Sequence, residues 1–171
     1  SPLFIQTLLE QGYDVQTFPS ATLQNPPFDR IIFGEVPHLR TETQGATPFE
    51  RDTRLTADFL QYLDQKPDKP FFAFLFYDLL HAISIPAPHR HKFEPSWEYA
   101  NYMALSNEMD ATPFFNLYRN CGWYVDSLVG SIVGELEHKG LLDNSILVIT
   151  GDHSQEFNEN KKNYWGHGSN Y

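Results

Sequence analysis

Asp152-His153 and Trp165-Gly166-His167-Gly168 are the residues of this 171-residue chain whose types and spacing best suit cation chemistry. A hard carboxylate oxygen next to an imidazole nitrogen is a donor pair for a divalent ion. The pair follows Ile146-Leu147-Val148-Ile149, an unbroken apolar run rich in β-branched residues, and then Thr150-Gly151. That run predicts a short strand covered on both faces, as a parallel sheet requires. Ligands collect outside the carboxyl ends of such strands, which is where Asp152 would emerge. Neighbouring strand residues point to opposite faces, so the pair can share one ion only if the chain has already turned at Gly151. Gly166 and Gly168 let backbone approach closely around the second imidazole, His167. The plainer alternative is a strand-end Asp capping a turn beside a surface His.

A second group follows Phe71-Phe72-Ala73-Phe74-Leu75-Phe76-Tyr77, also a candidate buried strand. Asp78-Leu79-Leu80-His81 comes directly after it, so His81 belongs at the same carboxyl edge as Asp152. Pro86, Pro88, His89, Arg90 and His91 continue the segment. A His-Arg-His cluster suits an anionic headgroup, or is simply exposed in a proline-rich loop. His38 and Arg40, in the Pro-, Thr- and Gln-rich connection over 19–50, are substrate contacts or solvated loop residues on the same reasoning. Trp97, Tyr99, Tyr102 and Met103 line a lipid groove or pack a loop on the sheet.

These residues need a scaffold, and the periodicity supplies one. A helix starts at Ser1-Pro2 with Leu3, Phe4, Thr7 and Leu8 on one face, and Gly12 stops it. The alternation over 13–18 predicts a half-buried strand. Phe28–Phe33 is a short strand or a helix. Over 49–65, Leu55, Phe59, Leu60 and Leu63 make a helical stripe with Arg51, Asp52, Arg54 and Asp58 outward, ended by Pro67 and Pro70. The longest helix has Thr112 as N-cap and Pro113 first. Phe114 to Leu136 then keep 3-4 spacing, and Lys139 and Gly140 suit its C-terminus. Cys121 lies on that apolar face as a core residue. Helices alternating with buried strands define an α/β protein with a mostly parallel sheet flanked by helices.

Composition is globular, at 41% hydrophobic with fourteen Phe. A net charge of −10 opposes nucleic acid as a partner. It makes a bound cation the natural source of positive charge for handling an anionic ester. One cysteine excludes an internal disulfide, and no stretch reaches the about 18 apolar residues of a membrane span.

The segment from Asp152 resembles the metal motif of the alkaline phosphatase superfamily, in its sulfatase and phosphoglycerol/phosphoethanolamine transferase branch. That branch reads Asp-His-Gly-Glu-x-Phe-Gly-Glu and then Gly-His-Gly. Here the residues are Asp152, His153, Ser154, Gln155, Glu156, Phe157, Asn158 and Glu159, followed by Gly166-His167-Gly168. Ser154 and Gln155 depart from the pattern. The Gln-Glu-Phe-Asn variant with Tyr-Trp-Gly-His is most similar to YejM-like inner-membrane proteins of Gram-negative bacteria, which are associated with outer-membrane lipid homeostasis. Tyr124-Val125-Asp126-Ser127-Leu128 resembles the family's helix before the Asp-His strand.

The resemblance implies an alkaline phosphatase-like fold, of which 1–171 is one partial domain. It implies one divalent metal ion (Mn, Zn, Mg or Ca) on Asp152 and His153. His81 and His167 would bind the substrate anion, with His89 and Arg90 as further candidates. The nucleophile, a threonine, serine or modified cysteine, would lie upstream together with the membrane region, and the last strands downstream. The implied substrate is a phosphate or sulfate ester on an envelope lipid or glycan headgroup such as lipopolysaccharide, and membrane proteins are an implied class of partner. The implied place is the periplasmic face of the inner membrane. A catalytically weak lipid-binding or regulatory domain is the alternative, and an unrelated α/β domain with a chance motif is the third reading.

Overall fold

The computed structural model describes residues 1–65 and 69–167, so Pro67 and Gly168 lie outside the described residues. Two strands, β1 (Asp14–Pro19) and β2 (Phe71–Phe76), run parallel in register from Asp14 opposite Phe71 to Pro19 opposite Phe76. The connection between them carries α2 (Phe28–Ile31) and α3 (Pro48–Asp64), so the ambiguous Phe28 segment is helical. Before β1 lies α1 (Leu3–Glu10), and after β2 come α4 (Leu79–Ala82) and α5 (Thr112–His138).

Alternation along β2 divides its side chains between two layers, since successive residues face opposite ways. Phe71, Ala73 and Leu75 pack with Leu55, Phe59, Leu63, Ile132 and Leu136 from α3 and α5. Phe72, Phe74 and Phe76 pack with Ile5, Val15, Leu23 and Phe33 on the opposite side. Helix α1 therefore docks through Ile5, with Leu8 and Leu9 beside it. Leu3 and Phe4, expected on its inner face, are exposed, because the docked stripe is centred one residue further along.

The helix ends have local causes. Thr47 accepts the Glu50 amide with Pro48 beginning α3, and Glu50 returns a carboxylate oxygen to the Ala46 amide at 2.7 Å. Thr112 is the first residue of α5 and not its cap. Asp110 instead accepts the Thr112 amide at 2.9 Å. Lys139 bridges Asp64 at 2.7 Å and Glu135 at 3.1 Å, joining the C-terminal ends of α3 and α5. Gly140 turns the chain away with φ 66°.

Two further expectations fail. Ile146–Ile149 forms no strand, and its side chains are 95%, 46%, 75% and 70% exposed. An apolar run reports a demand for burial, whereas a strand also needs a hydrogen-bonding neighbour. Among the described residues β2 is paired only with β1. Asp52, assigned outward, is completely buried, and Arg51 is largely covered.

Beyond the carboxyl edge lies a third core. It joins Leu79, Ile83 and Ile85 to Phe114, Leu117, Cys121 and Val125 of α5 and to Phe157. Phe114 is its hub, in ring contact with Trp97, Tyr102, Phe157 and Trp165. Phe114→Ala should cost about 3–5 kcal/mol. Denaturant unfolding measures that loss, and native tryptophan fluorescence should shift with it because Trp97 and Trp165 both lose their partner.

Candidate metal and anion site

His81 owes its place to a buried carboxylate. The β2 strand ends at Phe76, and two residues later α4 must begin with unpaired amides. Asp52, reaching across from α3, accepts the amides of Asp78 (3.1 Å) and Leu79 (2.9 Å). Arg51 completes the clamp. Its Nε donates to the Ser20 carbonyl at the end of β1 (2.8 Å), and its Nη2 pairs with Asp78 (2.9 Å). One dipeptide of α3 thus holds the carboxyl ends of both strands. Leu79 and Ile83 sink into the third core, leaving His81 outward. Ile83 ends α4 with φ 45° and ψ 50°, a region β-branched residues seldom enter, and its amide donates to Leu79 O.

Burial raises the pKa of the Asp52 carboxyl above its ordinary value, against the lowering effect of the Asp78 and Leu79 amides. Burial also dominates at the neighbouring Tyr77, whose hydroxyl is pushed up to about 12 while bonded to Thr56.

The other two imidazoles arrive on the loop over 152–167, which is pinned to α5 instead of to a sheet. Phe157 is buried against Phe114, Phe115 and Tyr118. Asn158, also buried, donates to Asn107 and accepts the Asn163 amide at 2.7 Å. The Glu156 amide donates to Gly166 O at 2.8 Å, and the Tyr164 hydroxyl to His167 O at 2.7 Å. These bonds fold the loop back, so that Gly166-His167 returns alongside Asp152-His153.

The result is a convergence of His81, His153 and His167. Each offers one ring nitrogen, and the three lie within 4.8 Å of one another on an exposed surface. The rings of His153 and His167 stack at 4.3 Å, and those of His81 and His167 approach to 5.3 Å. His153 Nδ1 lies 3.1 Å from Ser154 O. A carbonyl only accepts, so Nδ1 is the donor, and in the neutral ring Nε2 keeps its lone pair. Asp152 stands beside the group, with Oδ2 3.6 Å from His153 Nε2, and is not part of the three-nitrogen convergence.

Other candidate residues are placed elsewhere. His89 is held between Phe49 and Tyr124 at 5.1 and 5.0 Å, Arg90 donates to the Glu98 carbonyl, and His91 pairs with Glu94. Arg40 bridges Asp58 at 2.8 Å and covers the Phe18 ring, tying its loop to α3, while His38 is exposed in a left-handed turn. Trp97 packs in the third core, whereas Tyr99, Tyr102 and Met103 are exposed. Cys121 is fully buried, with burial raising its thiol pKa to about 12, which suits a core residue and not a nucleophile.

The sulfatase family model matches residues 2–171. The chain belongs to the sulfatase family. Among solved structures it is similar to the C-terminal periplasmic domain of phosphoethanolamine transferase EptC from Campylobacter jejuni. That match has a TM-score of 0.64 and 17% identity, covering 98% of this chain and 50% of the other. It is also similar to the phosphonate monoester hydrolase of Agrobacterium radiobacter, with a TM-score of 0.53, 20% identity, and coverage of 74% and 31%. No curated protein matches the sequence. The fold is that of the alkaline phosphatase superfamily, and the chain spans half the length of the EptC domain it matches.

Asp52→Ala should destabilise the chain by about 1–3 kcal/mol, because two amides lose a buried acceptor. Asp52→Asn keeps one acceptor oxygen and should cost less. The folded state of the wild type holds the Asp52 proton more tightly than the unfolded state. Its contribution to stability therefore falls as pH rises from the ordinary 3.8 through the raised folded value. Denaturant midpoints across that acid range should show this slope in wild type and lose it in Asp52→Asn.

Proposed function

We infer that this chain is part of a divalent-cation-assisted site for hydrolysis or transfer at phosphate or sulfate esters. The convergence of three imidazoles from two distant stretches, just beyond the carboxyl end of β2, is the observation that carries this reading. Such convergence on an exposed surface brings no burial of apolar area. It fits a polar ligand best.

The donor chemistry suits a cation. The Asp152 carboxylate and His153 imidazole are adjacent and accessible, and with Nδ1 donating to Ser154 O the neutral ring offers Nε2 as the binding atom. When bound there, a divalent ion supplies Lewis-acid charge neutralisation at the ester oxygens. His81 and His167 face the same space and donate hydrogen bonds to anionic oxygens when protonated. A net charge of −10 would otherwise repel such a substrate.

Among the described residues no hydroxyl or thiol hydrogen-bonds the three imidazoles, so the attacking group is proposed to belong to the rest of the domain. On this reading residues 1–171 are one piece of a longer domain. The nucleophile-bearing part and a membrane region precede it, and further strands follow. Those strands would supply the neighbours that Ile146–Ile149 lacks. Among the described residues no helix is long and apolar enough to cross a membrane. The substrates proposed are envelope lipid or glycan headgroups, at the periplasmic face of the bacterial inner membrane, by likeness to the EptC domain. Ser154 and Gln155, which replace the branch's Gly and Glu, favour a second reading: a YejM-like lipid-recognition domain with little turnover.

The test uses the protein containing this chain at its natural length, supplied with divalent ions and offered the 4-nitrophenyl esters of phosphate, phenylphosphonate and sulfate in turn. Turnover of one ester class is expected, with Asp152→Ala and His153→Ala each reducing it at least about 100-fold, beyond the range for outer-shell losses. Binding of phosphoethanolamine or lipid A without turnover would establish the second reading. Neither binding nor turnover would overturn both.

A further inference from the structure

We propose that one face of α5, with the loop over 90–96 laid against it, is a docking strip for a short acidic segment of a partner protein. The strip shares no residue with the imidazole convergence, so the assignment is independent of the functional reading above.

Phe115, Arg119 and Trp123 recur every four residues along α5 and therefore lie on one face. All three are exposed, Phe115 at 41% and Trp123 at 43%. The loop adds Lys92 and Phe93 beside them. The Lys92 ammonium lies 5.4 Å from the centre of the Trp123 ring. The Arg119 guanidinium covers Phe93 at 3.8 Å and approaches Phe115 at 5.7 Å. Cations and rings are thus interleaved along the strip, each cation held by the face of a ring.

These cations lack acids, which is unexpected in a chain of net charge −10. Arg40, Arg51 and Lys139 each pair with a carboxylate within 2.9 Å. Lys92 and Arg119 make no ion pair among the described residues. Glu94, the acid nearest to Lys92 in sequence, is turned to the His91 ring at 3.0 Å and to the Ser96 amide at 2.9 Å. Arg119 donates one guanidinium nitrogen to Asn116 Oδ1 at 3.2 Å. A guanidinium carries five N–H donors, and the remaining ones can fork onto an incoming carboxylate.

Two buried side chains hold this exposed strip in shape. Asn120, with no exposure, accepts the Phe93 amide at 2.9 Å and donates to the Arg90 and Phe93 carbonyls at 2.9 and 3.1 Å. Asn116, one turn earlier, donates to the Pro95 carbonyl at 2.9 Å. A buried amide is costly unless it is bonded. Both of these are spent on the backbone of the loop, which sets Lys92 and Phe93 against α5 before a partner arrives. Such ordering in advance lowers the cost of association.

The residue types and the length favour a protein segment over a bilayer. Trp and Arg are the side chains most enriched among the anchors of protein interfaces. From Phe115 to Trp123 the helix advances about 12 Å, the reach of about four extended residues. A segment that short meets the two cations within a Debye length of about 8 Å and is screened from charge further away. A broad anionic lipid surface would instead face the negative charge of the whole body.

The test is selection from a random heptapeptide library displayed on phage, against the protein containing this chain at its natural length. Enriched peptides are then titrated by fluorescence anisotropy. They should carry Asp or Glu beside an apolar residue, and their binding should weaken as salt rises. Arg119→Ala should reduce affinity at least about 10-fold with circular dichroism unchanged, as for an interface anchor. Arg119→Lys, which keeps the charge and loses the fork, should fall between the two, and Lys92→Ala should cost less than Arg119→Ala. Failure to enrich any peptide, enrichment without acidic residues, or acidic peptides that bind Arg119→Ala as tightly as wild type would each overturn the proposal. Phosphatidylglycerol vesicles that bind wild type and not Arg119→Ala, with no peptide enriched, would overturn it in favour of a lipid surface.

Discussion

A carboxylate with no solvent exposure holds this structure's working edge together. Burying an unpaired charge is among the costliest things a protein can do. Asp52 is tolerable only because two amides at the start of α4 meet it. Those amides would themselves be orphans at the end of a strand, so each party satisfies the other. Arg51 adds the second half of the clamp by holding the Ser20 carbonyl and the Asp78 carboxylate. The consequence reaches function. The same short helix that Asp52 caps carries His81, and its buried residues Leu79 and Ile83 fix the rotation that points His81 outward.

The opposite half of the site is built by different physics. The loop over 152–167 has no sheet beneath it in the described residues, yet it is well anchored. Phe157 and Trp165 wedge against Phe114, and Asn158 satisfies its amide side chain within the loop and against Asn107. Left-handed residues at Asn158, Lys161 and Asn163 let so few residues reverse direction. Aromatic packing on α5 therefore does here what strand pairing was expected to do. Ile146–Ile149 is left with large exposed apolar side chains, a surface that soluble domains normally cover.

Much of the scaffold was legible because its signals are local. The stripe through α5 and the unbroken apolar run of β2 each report burial by pattern alone, and both elements stand where the pattern put them. The histidines were legible by residue type and by their position after apolar runs. Asp52 was missed although it left a trace. It occupies the same helical stripe as Leu55, Thr56 and Phe59, and an acid in an apolar register signals a buried, partnered carboxylate. Taking it as a solvated charge ignored the spacing. Ile146–Ile149 failed for the converse reason: its pattern was clear, but pairing is a property of two segments, and one segment's composition cannot supply the other.

The convergence of imidazoles also shows why adjacency in sequence is a poor guide to which side chains share a site. Asp152 and His153 are neighbours, yet the Asp152 carboxylate spends one oxygen on the His153 amide at 3.0 Å and leaves the other 3.6 Å from the ring. His81 is some seventy residues away in the chain and His167 fourteen, and both bring a ring nitrogen within 4.8 Å of one on His153. Each is carried by backbone that its own local bonds have already ordered. A ligand arriving there meets groups whose ordering cost is largely met by the fold, which is the condition for tight and selective binding. Which side chains meet at this surface is therefore decided by where Asp52 and Phe157 anchor the backbone, and only secondarily by the motif in which the residues are written.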